Sequence, residues 1–240
     1  MVRSEGSSQG LLLSVIVPVY DEIATVGAVL KRVKAQKIDG VSLEVIVVDD
    51  GSRDGTREFL EKNQDLYSLL IKNAANLGKG GAIKKGLLAA KGDYVVFQDA
   101  DLEYDPNEYG ALLRPVLRFN ADVVMGSRFL APSWVRVSYF WHKVGNKIIT
   151  FWFNLWYNTT WTDVYSCYIL FRRDLLEARA LATGGWQQQA EILGKICRQA
   201  KRLYEVPVSY NGRSYEEGKK LRWHHALPVL LTIIRARVSG

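Results

Sequence analysis

Five short runs rich in β-branched and other apolar residues, at 13–19, 43–48, 67–71, 94–98 and 122–126, alternate with amphipathic stretches near 25–37, 55–64, 80–90 and 107–119. Runs of this length read as strands, and the 3.6-residue apolar spacing between them reads as helices. A chain that repeats strand and helix in this way joins its strands by βαβ crossovers, which build a mostly parallel sheet. The predicted fold class is therefore α/β. Asp105 and Pro106 supply a cap and a first-turn proline for the fourth helix. Ligands of such sheets sit beyond the carboxyl ends of the strands, which fall here at 20–22, 49–56, 73–81 and 99–103.

Beyond residue 130 the alternation gives way to rings. Ten aromatic residues, Trp134, Tyr139, Phe140, Trp141, Phe151, Trp152, Phe153, Trp156, Tyr157 and Trp161, fall between 133 and 161, mixed with Arg136, His142, Lys143 and Lys147. Such a segment either packs a helical lobe onto the sheet or faces a polar–apolar boundary or a greasy ligand. Further core segments are expected at 167–171 and 203–210, and a final helix at 223–238.

Composition narrows the function classes. Cys167 and Cys197 have no Cys-x-x-Cys spacing and no nearby His, which argues against a zinc site or a disulfide framework. No run approaches the ~20 apolar residues that span a bilayer; the closest, 226–234, has nine. The net charge of +7 belongs to the C-terminal end, where residues 195–240 hold ten Lys and Arg against three Glu. That field favours phosphates, anionic lipid or nucleic acid alike. With no recognisable nucleic-acid module beside it, nucleic acid is not expected as a partner.

Asp99, Asp101 and Glu103 follow a strand at i, i+2 and i+4. In an extended backbone their carboxylates project to one side, where three hard oxygen ligands can converge on Mg²⁺ or Mn²⁺. The competing reading is a set of turn or cap acids ahead of the next helix. Asp49, Asp50, Gly51, Ser52, Asp54, Gly55 and Thr56 form a polar turn whose carboxylates can accept from base N–H or ribose hydroxyl groups. Gly78, Lys79, Gly80 and Gly81 precede a helix N-terminus, which suits either a phosphate or close helix–sheet packing.

Taken in order, Pro18-Val19-Tyr20-Asp21-Glu22, Val48-Asp49-Asp50-Gly51-Ser52, Asn76 with Gly78-Lys79-Gly80, Asp99-Ala100-Asp101, Gly126-Ser127-Arg128, Thr162-Asp163, Ser166-Cys167-Tyr168, Glu191-Ile192 and Arg213-Ser214 through Gly218-Lys219-Lys220 resemble the family 2 glycosyltransferases of the dolichyl-phosphate mannose or glucose synthase type. The likeness covers about residues 13–222. Each motif alone is weak; their order is specific.

The resemblance implies a GT-A fold, with 1–10 as a flexible arm and 11–240 as one domain: a nucleotide-sugar half over 11–130 and an acceptor half with a helical, aromatic lobe over 131–240. It implies that Pro18, Tyr20, Glu22, Asp49 and Asp50 surround base and ribose, with Lys79 and Ala100 also on the donor. Asp99, Asp101 and Glu103 would hold Mg²⁺ or Mn²⁺; Arg128, Arg213 and Lys219 would face donor or acceptor phosphate; Asp163 would lie by the reacting sugar. Relatives of this type carry Arg or Lys in place of Ile169, and an acidic or proline-rich lead into Glu191 in place of Gln187, Gln188, Gln189 and Ala190.

The implied reaction is inverting transfer of mannose or glucose from a GDP- or UDP-hexose to a polyprenyl phosphate, by a protein held peripherally at the cytoplasmic face of a membrane. A lipid phosphate is already an anion near neutral pH and needs no general base; a sugar hydroxyl acceptor, the alternative, makes Asp163 the base. A non-catalytic nucleotide-binding protein is the reading from another class.

Overall fold

The computed structural model describes residues 10–137, 139–214, 216 and 226–238. Strands β1 (Leu11–Val19), β2 (Val41–Asp49), β3 (Leu69–Lys72), β4 (Tyr94–Phe97), β5 (Val123–Ser127), β6 (Ile169–Arg172) and β7 (Leu203–Pro207) form one sheet in the order β3-β2-β1-β4-β6-β5-β7. All neighbours run parallel except β6, which lies antiparallel between β4 and β5. The α/β expectation holds, and the sheet is mixed by that single inserted strand.

Helices α1 (Val26–Lys34), α2 (Thr56–Lys62), α3 (Gly78–Ala89), α4 (Tyr109–Phe119), α5 (Phe140–Tyr157), α6 (Gln188–Gln199) and α7 (Ala226–Val238) cover both faces. Strand alternation divides the core. Leu13, Val15, Val17, Val45 and Val47 point to α1, α2 and α4; Ile16, Ile46 and Val48 point to α3 and the α5–α7 layer. On α1, Val26, Val29, Leu30 and Val33 recur at helical spacing and are fully buried, each stabilising by about 2 kcal/mol. Asp105 accepts from Asn107 N, and Pro106 opens the turn that leads into α4, as expected.

Helix α5 is apolar on two sides. Phe153 and Thr150 are buried inward, whereas Phe140, Trp141, Ile148, Phe151 and Leu155 lie 56–76% exposed along the opposite side, with Lys143 and Lys147 also exposed. The packing expectation for the aromatic segment thus holds for the inner face of the helix, and the outer face is exposed. Among the described residues no helix is long and apolar enough to cross a membrane.

Ile169 sits fully buried in β6 between β4 and β5, so this position packs core rather than reaching a phosphate. Gln188 and Gln189 bind backbone: Gln188 Nε2 donates to Gly80 O at 2.7 Å, and Gln189 Nε2 to Ser166 O at 2.5 Å.

Candidate active site

The carboxyl ends of β1, β2, β4 and β5 open on one edge of the sheet, and most of the predicted residues gather there. Gly51, at φ +83°, turns the chain after Asp50. A Cβ there would lie 2.9 Å from the Ala75 carbonyl carbon, so the turn requires glycine. Four hydrogen bonds join the 21–23 loop to the 52–56 loop: Asp21 N to Ser52 Oγ at 3.1 Å, Glu22 N to Thr56 Oγ1 at 3.1 Å, Ile23 N to Asp54 Oδ2 at 3.0 Å, and Arg53 N to Asp21 Oδ1 at 2.7 Å. Pro18 and Tyr20 lie half-buried beside this corner at the end of β1.

The paired aspartates have separated roles. Asp49 is fully buried: Oδ2 accepts from Arg57 Nε at 2.6 Å and Oδ1 from Ser52 N at 3.2 Å. Expected beside ribose or base, Asp49 is instead enclosed. The reason is that β2 runs one residue past its apolar run and pairs Asp49 with both Val19 and Lys72. In Asp50, Oδ1 accepts from Asn73 Nδ2 at 2.7 Å and Leu77 N at 2.9 Å, while Oδ2 is buried with no partner among the described residues. An orphaned buried oxygen of this kind costs on the order of 1–3 kcal/mol, which a ligand N–H or hydroxyl would recover.

After β4 the chain turns at once. Leu102 adopts φ +61°, and Glu103 N donates to Asp101 Oδ1 at 3.2 Å. The extended projection of three acids therefore fails at the third. Glu103 accepts from Arg213 N at 2.8 Å and Tyr210 OH at 2.7 Å, so it anchors the 210–213 segment. Among the described residues, no three His, Cys, Asp or Glu side chains converge as metal ligands. The expected convergence of three carboxylates on one ion is thus not seen among the described residues: Glu103 is drawn away from Asp99 and Asp101. Ala100 between them is 4% exposed and faces the core, leaving its backbone alone for any donor contact.

Two cations stand among these acids. Lys79 Nζ lies 2.5 Å from Asp99 Oδ1 and 3.2 Å from Cys167 Sγ. Arg213 reaches Asp101 Oδ2 at 2.6 Å, Glu22 Oε1 at 3.2 Å and Glu103 Oε1 at 3.3 Å. Four carboxyl groups (Glu22, Asp99, Asp101, Glu103) share two cations, which leaves the cluster short of positive charge. Burial, then Asp99 and Glu103, push the Asp101 carboxyl up to about 7. Burial opposes the charge on Asp99 as well, but Lys79 outweighs it and holds that carboxyl below its ordinary range. Carboxylate oxygens short of positive charge fit a hard divalent cation, Mg²⁺ or Mn²⁺.

The start of α3 packs closely against the 183–188 segment. Gly80 N donates to Gly184 O at 3.1 Å, so its backbone packs against the 183–188 segment while the Lys79 side chain reaches the acids. The close contact at Gly80 is thus with a loop, not with the sheet.

At the end of β5, Arg128 and Asp163 form a two-pronged ion pair, with Nε to Oδ2 and Nη2 to Oδ1 both at 2.7 Å. Arg128 N adds a bond to Oδ2 at 3.1 Å and Asn146 Nδ2 one to Oδ1 at 2.7 Å, so each oxygen of this fully buried carboxylate accepts twice. Burial works against its charge, but Arg128 overrides it and lowers the Asp163 pKa. A carboxylate so occupied is a poor proton acceptor, and the base role considered for Asp163 gives way to holding Arg128. The Arg128 guanidinium lies 4.9 Å over the Tyr210 ring. Beyond it, Arg136, Val137, Tyr139, Tyr210, Gly212, Arg213 and Ser214 line a cavity of about 200 Å³. Lys219 falls outside the described residues.

Sequence reasoning missed Arg57, Asn146 and Tyr210, and used Arg136 only for its charge. Arg57 carried a signal, since it lies one turn beyond an acid pair. The others are met only through residues distant in the chain.

A mostly parallel sheet with a nucleotide-type turn, an acid pair and an ion-paired arginine along one edge defines a GT-A glycosyltransferase domain. Residues 14–179 match the profile of Glycosyl transferase family 2, and the chain belongs to that family. It is 28% identical over 219 residues to a low-salt glycan biosynthesis hexosyltransferase of Haloferax volcanii, covering 90% of this chain and 52% of that protein. It is 30% identical over 217 residues to an undecaprenyl-phosphate 4-deoxy-4-formamido-L-arabinose transferase of Aeromonas hydrophila, covering 87% and 62%. The chain thus spans between half and two thirds of the length of these relatives. Among solved structures, glucosyl-3-phosphoglycerate synthase from Mycobacterium tuberculosis in complex with Mn²⁺, UDP-glucose and phosphoglyceric acid superposes with a TM-score of 0.70 at 20% identity, covering 95% of this chain and 80% of that one. That likeness establishes the fold.

Proposed function

We propose that the protein transfers a hexose, with inversion, from a nucleotide-diphosphate sugar to a polyprenyl phosphate at a membrane surface. The observation that carries this reading is the cavity with Arg136 and Arg213 in its wall, which adjoins the acid pair on one side and the aromatic strap on the other. Two guanidinium groups suit a phosphate, and Val137 and Tyr139 begin an apolar path away from it. Asp50, with its unpartnered oxygen, would accept from the donor base or ribose, and Glu22 stands at the same corner. Asp99 and Asp101 would hold Mg²⁺ or Mn²⁺, whose role is to neutralise the departing diphosphate.

In this scheme the acceptor oxygen attacks C1 from the face opposite the diphosphate, and the protein contributes alignment and charge. Arg128, fixed by Asp163, offers Nη1, which makes no hydrogen bond among the described residues, to a phosphate oxygen. A phosphate acceptor arrives deprotonated, which agrees with the full occupation of Asp163; a hydroxyl acceptor would need a free base. The exposed stripe of α5 and the neighbouring Lys143 and Lys147 suit the boundary of an anionic bilayer. Free Cys167 and Cys197 suit its cytoplasmic side. The relative named for undecaprenyl phosphate supports the acceptor class.

The test is a panel of UDP- and GDP-hexoses with Mn²⁺ and vesicles containing undecaprenyl phosphate. Extraction of labelled sugar into the lipid phase, dependent on the phosphate, is expected. Transfer to a soluble hydroxyl acceptor, with none to lipid phosphate, would overturn the acceptor assignment.

A further inference from the structure

Asn146 lies on the inner side of α5, where its amide can be oriented from its neighbours alone. Its Oδ1 accepts from Thr150 Oγ1 at 2.9 Å, and that hydroxyl in turn accepts from Val164 N at 3.3 Å. With Oδ1 so fixed, Nδ2 must face Asp163 Oδ1, which it reaches at 2.7 Å. A flipped amide would set its oxygen against Asp163 Oδ1, an acceptor-only carboxylate oxygen, and the bond would be lost. Asp163 holds Arg128 with both of its oxygens, and Arg128 continues over Tyr210 to Glu103 and so to the acid loop. An uninterrupted line of hydrogen bonds, an ion pair and one ring contact therefore runs from the middle of α5 to the carboxylates beside the donor.

We infer that Asn146 is a positioning residue for the transfer reaction, acting through Asp163 to set the direction of the Arg128 guanidinium. The side chain itself does not line the cavity formed by Arg136, Tyr139 and Arg213. Its effect is on aim. Asp163 is fully buried, and its fourth hydrogen bond keeps Oδ1 in the plane that Arg128 Nη2 requires. Without Asn146, Oδ1 keeps one donor only, and the carboxylate can rotate about its Cβ–Cγ bond, carrying the guanidinium with it. The same helix bears the exposed aromatic stripe on its other side, so whatever seats that stripe also fixes the position of Asn146.

Asn146→Asp gives the discriminating readout. The groups facing Asp163 are Arg128 from the end of β5, Glu205 from β7, whose Oε1 accepts from Asp163 N at 3.2 Å, and Tyr104 from the acid-loop turn. Into this setting the substitution brings a second carboxyl group within hydrogen-bond distance of the first, and such a pair shares one proton. While that proton is retained, the introduced group donates to Asp163 as Asn146 does. Once it is lost, two carboxylates repel and compete for Arg128. Activity of Asn146→Asp is therefore near that of the wild type at the acid end of the assay range and falls as pH rises, while the wild type stays level across the same window.

The kinetic arm rests on the transferase reading above. In it, Asn146→Ala lowers kcat about tenfold at every pH, the cost of one charge-assisted hydrogen bond, with the donor KM unchanged. The second arm is independent of activity: the side-chain Nε–H resonance of Arg128, assigned with Arg128→Lys, shifts and exchanges faster with water in Asn146→Ala, in protein of unchanged far-UV circular dichroism. Wild-type kcat in Asn146→Ala, a pH profile of Asn146→Asp that matches the wild type, or an unmoved Arg128 resonance would overturn the inference. Should the wild type transfer no sugar to lipid phosphate, the function reading fails while the resonance still reports on Asn146.

Discussion

The acid turn after β2 and the acid turn after β4 stand one strand apart on the same edge of the sheet, yet they meet opposite fates. After β2, Asp49 is matched by Arg57, and Asp54 by Thr56 and the backbone of Ile23; one oxygen of Asp50 remains over. After β4, four carboxyl groups share Lys79 and Arg213, and burial, then the neighbouring Asp99 and Glu103, raise the Asp101 carboxyl to about 7. A turn whose hydrogen bonds are filled from its own neighbourhood is built to keep its shape. A turn left short of positive charge can receive it, and under the proposed function a divalent cation would answer that need.

This contrast can be broken at several points, and the largest effect is expected at Asp101. Asp101→Asn should lower Mn²⁺-dependent turnover of a nucleotide-sugar by about a thousandfold, with Tm at neutral pH equal to or above that of the wild type. Turnover within a few fold would remove Asp101 from the metal pair. The matching change in the other turn acts on stability instead. Arg57→Ala strands the buried Asp49 charge and should cost about 3 kcal/mol in a denaturant titration; a loss below about 1 kcal/mol would mean that Asp49 is not held by this pair.

Arg213 sharpens the comparison, because it occupies the position that an incoming cation would neutralise. Arg213→Gln should bind Mn²⁺ about tenfold more tightly than the wild type in the absence of nucleotide, as read by Mn²⁺ electron paramagnetic resonance, since one competitor for Asp101 has gone. Unchanged affinity would separate Arg213 from the metal position. The smallest effect is on the pH dependence of stability. Because the Asp101 carboxyl is raised from 3.8 to about 7 on folding, the native state binds a proton that the unfolded chain has released between those values. Stability therefore falls as pH rises through that window. Asp101→Asn should flatten this slope in a series of thermal melts, and Mn²⁺ at pH near 7.5 should raise the wild-type Tm alone.

Much of the framework was legible because it is local. Short apolar runs and 3.6-residue spacing are read within a dozen residues, and they placed all five leading strands and the four helices between them to within a few positions. The polar turn of Asp49 and Asp50 and the Asp105–Pro106 start were legible for the same reason. The site itself was legible in its residue types and much less in its pairings. Nothing near Asp163 in the chain says that its oxygens are filled by Arg128, 35 residues before it, and Asn146, 17 before it. Nor does anything near Glu22 announce Arg213, 191 residues on.

The acid turn shows where the boundary lies. The sequence by itself determined that carboxylates cluster at the carboxyl end of a strand and that the chain repeats strand and helix, since both follow from neighbours along the backbone. The tertiary structure alone decided which of those acids remain short of charge. Leu102 turns the chain to φ +61°, Tyr210 and Arg213 draw Glu103 away, and Lys79 takes one oxygen of Asp99. A carboxylate's role depends on the donors and charges within a few ångströms of it, and those are brought there by the packing of β7, α3 and α5 around the sheet.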